Sequence, residues 1–389
     1  MKVYLEFRSP KHHTLYDELI NYPPEGIEYQ VSSGEIYSTR AYKLFSFFYN
    51  RFFKKIRPDI GNIYHKLKKE DKNVDLVHVC NTFTPKDTPW VMDIEHVGSF
   101  TAYDLRSLKL LKRKIEKELS SKNCKKIMSW SISGKKTIER FLNVKGFKHK
   151  IEVVRPAIHP FPRFKKLRND KDKIKLLFMG SANTLEPSMF YFKGGLHALE
   201  CFKVLSKKYD VELTIQSVVP EDIKKKYNDL KSLHFSSKIV RQGKNPQDVT
   251  LNLYNFYNSF DIIMFPGYIL MPIATLEAMA SGLPIVATKS WSAAEIIEHE
   301  RTGFLVEPSK YVPTIDDVPP DWTSNFKNNI MKIDTGLVDR LAEHISILIE
   351  NDTMRRNMGE HAREKVEKGV LSIEHRNRIL KRIYEEAIK

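Results

Sequence analysis

Residues 261–287 read DIIMFPGYILMPIATLEAMASGLPIVA. An apolar run of strand length (DIIMFP), a loop containing Gly and Pro, a short helix-forming stretch and a second apolar run (LPIVA) follow one another within 27 residues. Two buried strands joined through one helix predict a crossover unit with parallel strands. The helix is predicted to begin at Pro272 and Ile273, because proline suits a first helical turn, where its missing N–H is not needed. Gly282, Leu283 and Pro284 end the helix and start the next strand. The free N–H groups of such a helix start, with the helix dipole, favour a phosphate. Glu277 follows slightly more than one turn later. A carboxylate there would repel a phosphate in contact, so it suits neutral hydroxyls such as those of a ribose. It also reads as the one exposed Glu of a core helix.

Outward from this stretch the same alternation continues. Residues 174–179, 211–216, 237–241, 261–266 and 283–287 read as strands, with a helix at 194–208. Gly180 and Gly267 stand where strands give way to turn or phosphate-loop residues, so this half reads as a nucleotide-binding-type doubly wound sheet. Upstream, 2–7, 75–79, 90–94, 125–129 and 151–154 read as strands, with helical patterns at 38–56, 104–120 and 131–142. Strands separated by helix-length segments give an α/β fold with mostly parallel sheets. Between the halves, 160–173 (PFPRFKKLRNDKDK) has two prolines, dense charge and little to bury. It predicts a linker at 164–173 between domains at 1–163 and 174–369. Residues 309–334 read as an excursion loop, and the last ~55 residues as helical.

The 389 residues hold 64 Lys and Arg against 48 Asp and Glu, a formal net charge of +16. With 41% hydrophobic and 29% charged residues, long-range disorder is excluded. Residues 1–163 carry 31 basic and 18 acidic groups, leaving 33 and 30 for the rest, so nearly all the excess lies in the first domain. That asymmetry predicts an anionic partner for one domain only. Three dispersed cysteines (Cys80, Cys124, Cys201) exclude a disulfide scaffold and a cysteine-rich zinc site, and suit a reducing cytosol. No apolar run has the length of a signal peptide or a membrane span, and the expected location is cytoplasmic. Residues 40–57 hold seven Phe or Tyr and six Lys or Arg. In 105–119, Leu108, Leu111, Ile115 and Leu119 share one helical face opposite cations. Both segments read either as membrane-surface helices at an anionic cytoplasmic face or as ordinary covering helices with solvated charge.

MPIATLEAMASGLPIVAT, with Glu295 and RTGFLVEP downstream, resembles the C-terminal signature of family-four retaining glycosyltransferases. DLVHV, the His of DIEH, KKIMSWSISGKK, IEVVRPAIH and MGEHARE extend the resemblance over most of the chain. The resemblance implies the GT-B fold: two doubly wound Rossmann-like domains facing a cleft, an acceptor-binding one and a nucleotide-sugar-binding one. A C-terminal helix, 370–389, would return to the first domain. Glu277 resembles the family glutamate that binds the donor ribose. Lys193 resembles the lysine that neutralises the donor diphosphate, and His96 the histidine beside sugar and acceptor; these two are the implied catalytic residues. Gly180, Ser181, Gly194, Arg241, Pro272, Ile273, Ala274 and Thr275 complete the implied donor site, with Lys244 a further candidate cation.

Two positions depart from the family. Ile269 and Leu270 stand where the first glutamate of the pair, which contacts the donor sugar, and its following Gly would be. Ser181 stands where an Arg is common, followed by an insertion at 182–192. The only Asp-x-Asp, at Asp170 and Asp172, lies in the linker, and no metal or other cofactor is expected. The implied reaction moves a sugar, with retention, from a nucleotide sugar to a lipid-linked or saccharide acceptor in glycan biosynthesis. The departures keep an alternative open, a glycosyltransferase-like partner or sugar-nucleotide-binding protein without turnover. Nucleic acid is not an expected partner, since no recognition module accompanies the charge.

Overall fold

Continuous apolar runs make the strands. β1 (Lys2–Phe7), β2 (Glu28–Val31), β3 (Leu76–Cys80), β4 (Trp90–Ile94), β5 (Cys124–Ser129) and β6 (Ile151–Val153) form one sheet, ordered β2-β1-β3-β4-β5-β6. β7 (Ile174–Met179), β8 (Val211–Gln216), β9 (Leu233–Ser236), β10 (Ile262–Phe265), β11 (Ile285–Thr288) and β12 (Gly303–Val306) form a second, ordered β12-β11-β10-β7-β8-β9. Every pairing is parallel. β3, β4, β10 and β11 are buried along their whole length, as parallel strands covered by helices must be. The structure, a computed structural model, describes residues 1–7, 14–31, 74–81, 86–101, 105–162, 173–180, 188–238, 240, 243, 245–270, 272–312 and 324–389, without the side chains of 14, 106, 324 and 325. The helical pattern at 38–56, the linker 164–173 up to residue 172, and Ser181, Arg241 and Lys244 lie outside these.

Two compact units result: Met1–Pro156 with Glu374–Lys389, and Ala157–Asp316 with Pro320–Ile373. The first core gathers Val77, Trp90, Met92, Ile94, Ile115 and Leu119 around β3, β4 and the helix Leu105–Ser120. The helix Ile373–Ala387, last in the chain, belongs to this first unit. Its buried Arg376 donates to the carbonyls of Glu18 and Tyr22, and its buried Tyr384 hydroxyl meets His78 Nδ1 at 2.8 Å. The second core joins the sheet to the helices Gly195–Leu205 and Thr335–Glu350 through Phe178, Phe202, Leu213, Leu341 and Ile345.

Three edge strands differ from the sequence reading. β2 (EYQV) is half exposed and has no apolar run to announce it. β12 lies within RTGFLVEP, and its strand character comes from pairing with β11. The strand read at 237–241 instead occupies 233–236, because pairing with β8 runs from Leu213 opposite Leu233 to Gln216 opposite Ser236 and stops there. Beyond it, Gln216 Nε2 donates to the Lys238 carbonyl, which holds the departing chain.

Candidate functional site

Read from β9 to β12, the second sheet has the strand order 3-2-1-4-5-6 of a dinucleotide-type fold. β7 and β10 are neighbours at the reversal. Ligands of open α/β sheets bind in a crevice outside the strand C-termini at such a reversal, which makes the β7–β10 reversal the candidate crevice. Gly180 ends β7, its N–H donating to the Gln216 carbonyl at 2.9 Å. A Cβ on Gly180 would lie 2.3 Å from Ser217 Oγ, so the position admits no side chain without displacing the end of β8.

Lys193 and Gly194 link the helices Ser188–Phe192 and Gly195–Leu205. Gly194 is left-handed, φ 80°, and a Cβ there would lie 2.4 Å from the Pro266 carbonyl oxygen. A Cβ on Gly267 would in turn lie 3.0 Å from both Lys193 Cα and its carbonyl oxygen. Tyr268 N–H donates to the Phe192 carbonyl at 3.3 Å, and Thr288 Oγ1 donates to the Gly267 carbonyl. Two glycines thus let the backbone after β7 and the loop after β10 touch. The contact sets Lys193 against the loop leading to the helix Pro272–Ala280. Lys193 is only 8% exposed, with its Nζ 5.2 Å from the centre of the Phe192 ring, a cation–π distance.

The helix Pro272–Ala280 starts at Pro272 and is followed by Gly282 at φ 72°. The helix Asp352–Glu367 packs onto this turn so closely that a Cβ on its Gly359 would lie 2.0 Å from the Gly282 carbonyl oxygen. Ile273 has a buried side chain, so what it offers a ligand is its first-turn backbone N–H; Thr275 is buried, and Pro272 and Ala274 are half-buried. Glu277 is 5% exposed, which corrects its reading as an exposed Glu of a core helix. Its Oε2 accepts a 2.8 Å bond from the hydroxyl of fully buried Tyr257. Tyr257 belongs to the helix Pro246–Asn258, and sequence reasoning passed over it, since nothing local distinguishes it from the neighbouring aromatics.

The departure at 269 has a structural counterpart. Ile269 packs against an apolar cluster of Phe192, Tyr268, Val312 and Ile330. His96 belongs to the first unit, just beyond β4, and is buried. Its Nδ1 accepts from Gly98 N–H at 3.0 Å, which leaves the proton of the neutral ring on Nε2. Burial lowers its pKa, with the charge of Glu95 opposing, so the neutral ring is favoured.

Residues 173–317 match the family described as glycosyl transferases group 1. An uncharacterized glycosyltransferase of Haemophilus influenzae is 33% identical over 122 residues, 31% of this chain and 33% of that protein. The chain spans between 9% and 37% of the length of the curated relatives it matches. Sucrose-phosphate synthase from Thermosynechococcus elongatus superposes with a TM-score of 0.59 at 14% identity, covering 99% of this chain and 98% of that one. Anabaena HepE in complex with UDP-glucose gives 0.58 at 13% identity, with 99% of both chains covered. At these identities the likeness is one of fold. The crevice between β7 and β10 therefore lies within the segment that matches the glycosyl transferases group 1 family, and the chain carrying it has the GT-B fold of these neighbours.

Proposed function

We propose that the chain is a retaining glycosyltransferase that takes its sugar from a nucleotide sugar bound in the β7–β10 crevice. The observation that carries this is the apposition of Lys193 with the loop feeding the helix Pro272–Ala280, on which Glu277 is held by Tyr257. A diphosphate beside Lys193 and the helix start meets a cation and free N–H groups, and the two ribose hydroxyls meet the Glu277 carboxylate. Charge builds on the diphosphate as the glycosidic bond breaks. A fixed ammonium and helix dipole stabilise it without reorganising and without calling on a metal. The leaving phosphate oxygen can take the proton of the attacking acceptor hydroxyl on the same face of the sugar. The protein's part is then positioning and electrostatics. HepE, of the same fold, holds UDP-glucose, which supports a nucleotide sugar as donor.

The basic first unit suits a lipid-linked or saccharide acceptor. Leu108, Ile115 and Leu119 are buried in its core, so the helix Leu105–Ser120 could face an anionic lipid surface only by its charged side. The aromatic segment 40–57 lies outside the described residues. No helix among the described residues is long and apolar enough to cross a membrane. One observation favours a second reading, a sugar-nucleotide-binding protein without turnover: the position of the family's sugar-contacting glutamate is occupied by Ile269, packed on an apolar cluster.

Incubation with a panel of nucleotide sugars, read by nucleotide release, separates the two. Release with at least one donor, reduced about 10–100-fold in Glu277→Ala, supports the enzyme. Binding without release with any donor supports the second reading, and absence of both binding and release overturns the assignment of the crevice.

A further inference from the structure

The first unit holds a buried polar cluster that the transfer reaction does not use. Strand alternation puts His78 and Cys80 of β3 on one face, and the register places Cys80 opposite Asp93 of β4. One ligand atom from each of the three lies within 4.8 Å of the others. We propose that His78, Cys80 and Asp93 bind a zinc ion that fastens β3 to β4 next to the C-terminal helix.

Four observations carry the site. His78 is 2% exposed, yet its Nε2 makes no hydrogen bond and points toward Asp93 Oδ1 at 3.7 Å. Its other nitrogen, Nδ1, is held by the Tyr384 hydroxyl at 2.8 Å, the outer contact that fixes the tautomer and orientation of a ligating histidine. Asp93 is likewise oriented from outside, by the Tyr16 hydroxyl at 2.9 Å, Trp130 Nε1 at 2.8 Å and Asn81 N–H at 2.7 Å. A cavity of about 30 Å³ adjoins His78 and Asp93, with room for a water as fourth ligand.

The donor set decides the metal. One sulfur, one imidazole nitrogen and one carboxylate oxygen suit zinc, whereas magnesium and calcium seek oxygens. Zinc bonds of ~2.0–2.3 Å place tetrahedral ligand atoms roughly 3.3–3.8 Å apart. The His78–Asp93 spacing already meets this, and the widest spacing in the cluster closes by a shift of about 1 Å. Binding forms a Zn–S bond and releases the Cys80 thiol proton to solvent. Thiolate and carboxylate together cancel the ion's charge. The loaded site is therefore neutral, where the metal-free site carries the single negative charge of Asp93 beside Arg155 and Arg376, which line the same cavity.

The test uses the full chain without an affinity tag. Zinc titration against a competing chelator is expected to show one equivalent bound, with a rise in thermal midpoint. Cobalt-loaded protein is expected to show a thiolate-to-metal charge-transfer band. His78→Gln and Cys80→Ser should abolish both the equivalent and the band, and Tyr384→Phe should weaken zinc binding about 10–100-fold. The proposal is overturned by no zinc uptake, by uptake that survives His78→Gln and Cys80→Ser, or by a cobalt spectrum without the thiolate band. The last is read on unaltered protein and decides the matter even if the variants fail to fold.

Discussion

Glu277 shows how one carboxylate is prepared for a ligand. Tyr257 occupies one side of Oε2 and fixes the rotamer. Glu277→Ala is expected to reduce kcat/KM about 10–100-fold through lost donor hydroxyl contacts, measured by nucleotide release. Tyr257→Phe should lower unfolding free energy by about 1–3 kcal/mol in denaturant titration, because it leaves Oε2 buried without its donor. Gly194→Ala meets both a left-handed backbone and the Pro266 carbonyl 2.4 Å away. A loss of roughly 2 kcal/mol or more is expected by the same measurement. His197 carries a pH dependence. It is fully buried, its Nε2 accepts from Asp334 N–H at 3.1 Å, and burial lowers its pKa to about 4, with Asp334 opposing. The unfolded chain takes up this proton near pH 6.5, the folded chain only near 4. Its contribution is therefore complete above about 6.5 and is lost as pH falls toward 4, of order 3 kcal/mol in all. His197→Gln, which keeps an acceptor, should flatten the stability slope across that window.

At the scale of elements, amphipathic helices were legible from spacing, but their use was not. The stripe of Leu108, Ile115 and Leu119 is the same whether it faces lipid or a sheet, and only its packing against β4 and β5 residues shows that it faces the core. Leu119→Ala is expected to cost about 2–5 kcal/mol in denaturant titration, as for any well-packed core leucine. The helix Pro272–Ala280 was readable at both ends, since proline at the start and glycine in a left-handed turn at the end are local demands of the backbone. Edge strands were not. β2 and β9 lack continuous apolar runs because one side of each faces no further strand, and their positions follow from the partner strand's register.

For the whole molecule, the order of the chain and the order in space part company at the C-terminus. The helix Ile373–Ala387 follows the second unit in sequence yet buries Leu380, Ile383, Tyr384 and Ala387 in the first. Ending the chain at residue 372 should therefore expose amides of β1–β6 to hydrogen exchange while β7–β12 keep their protection. Equal loss in both sheets would contradict this division. The sequence by itself determined the α/β class, the approximate places of the long buried strands and the helix bearing Glu277. Each depends on local periodicity, proline or glycine, which act over a few residues. Only the tertiary structure decided that Tyr257 holds Glu277, that Gly194 and Gly267 bring Lys193 against a loop some 70 residues away in sequence, and that Cys80 stands opposite Asp93. Those facts are set by strand order and register, which arise from pairing between distant segments and leave no periodic trace in either one.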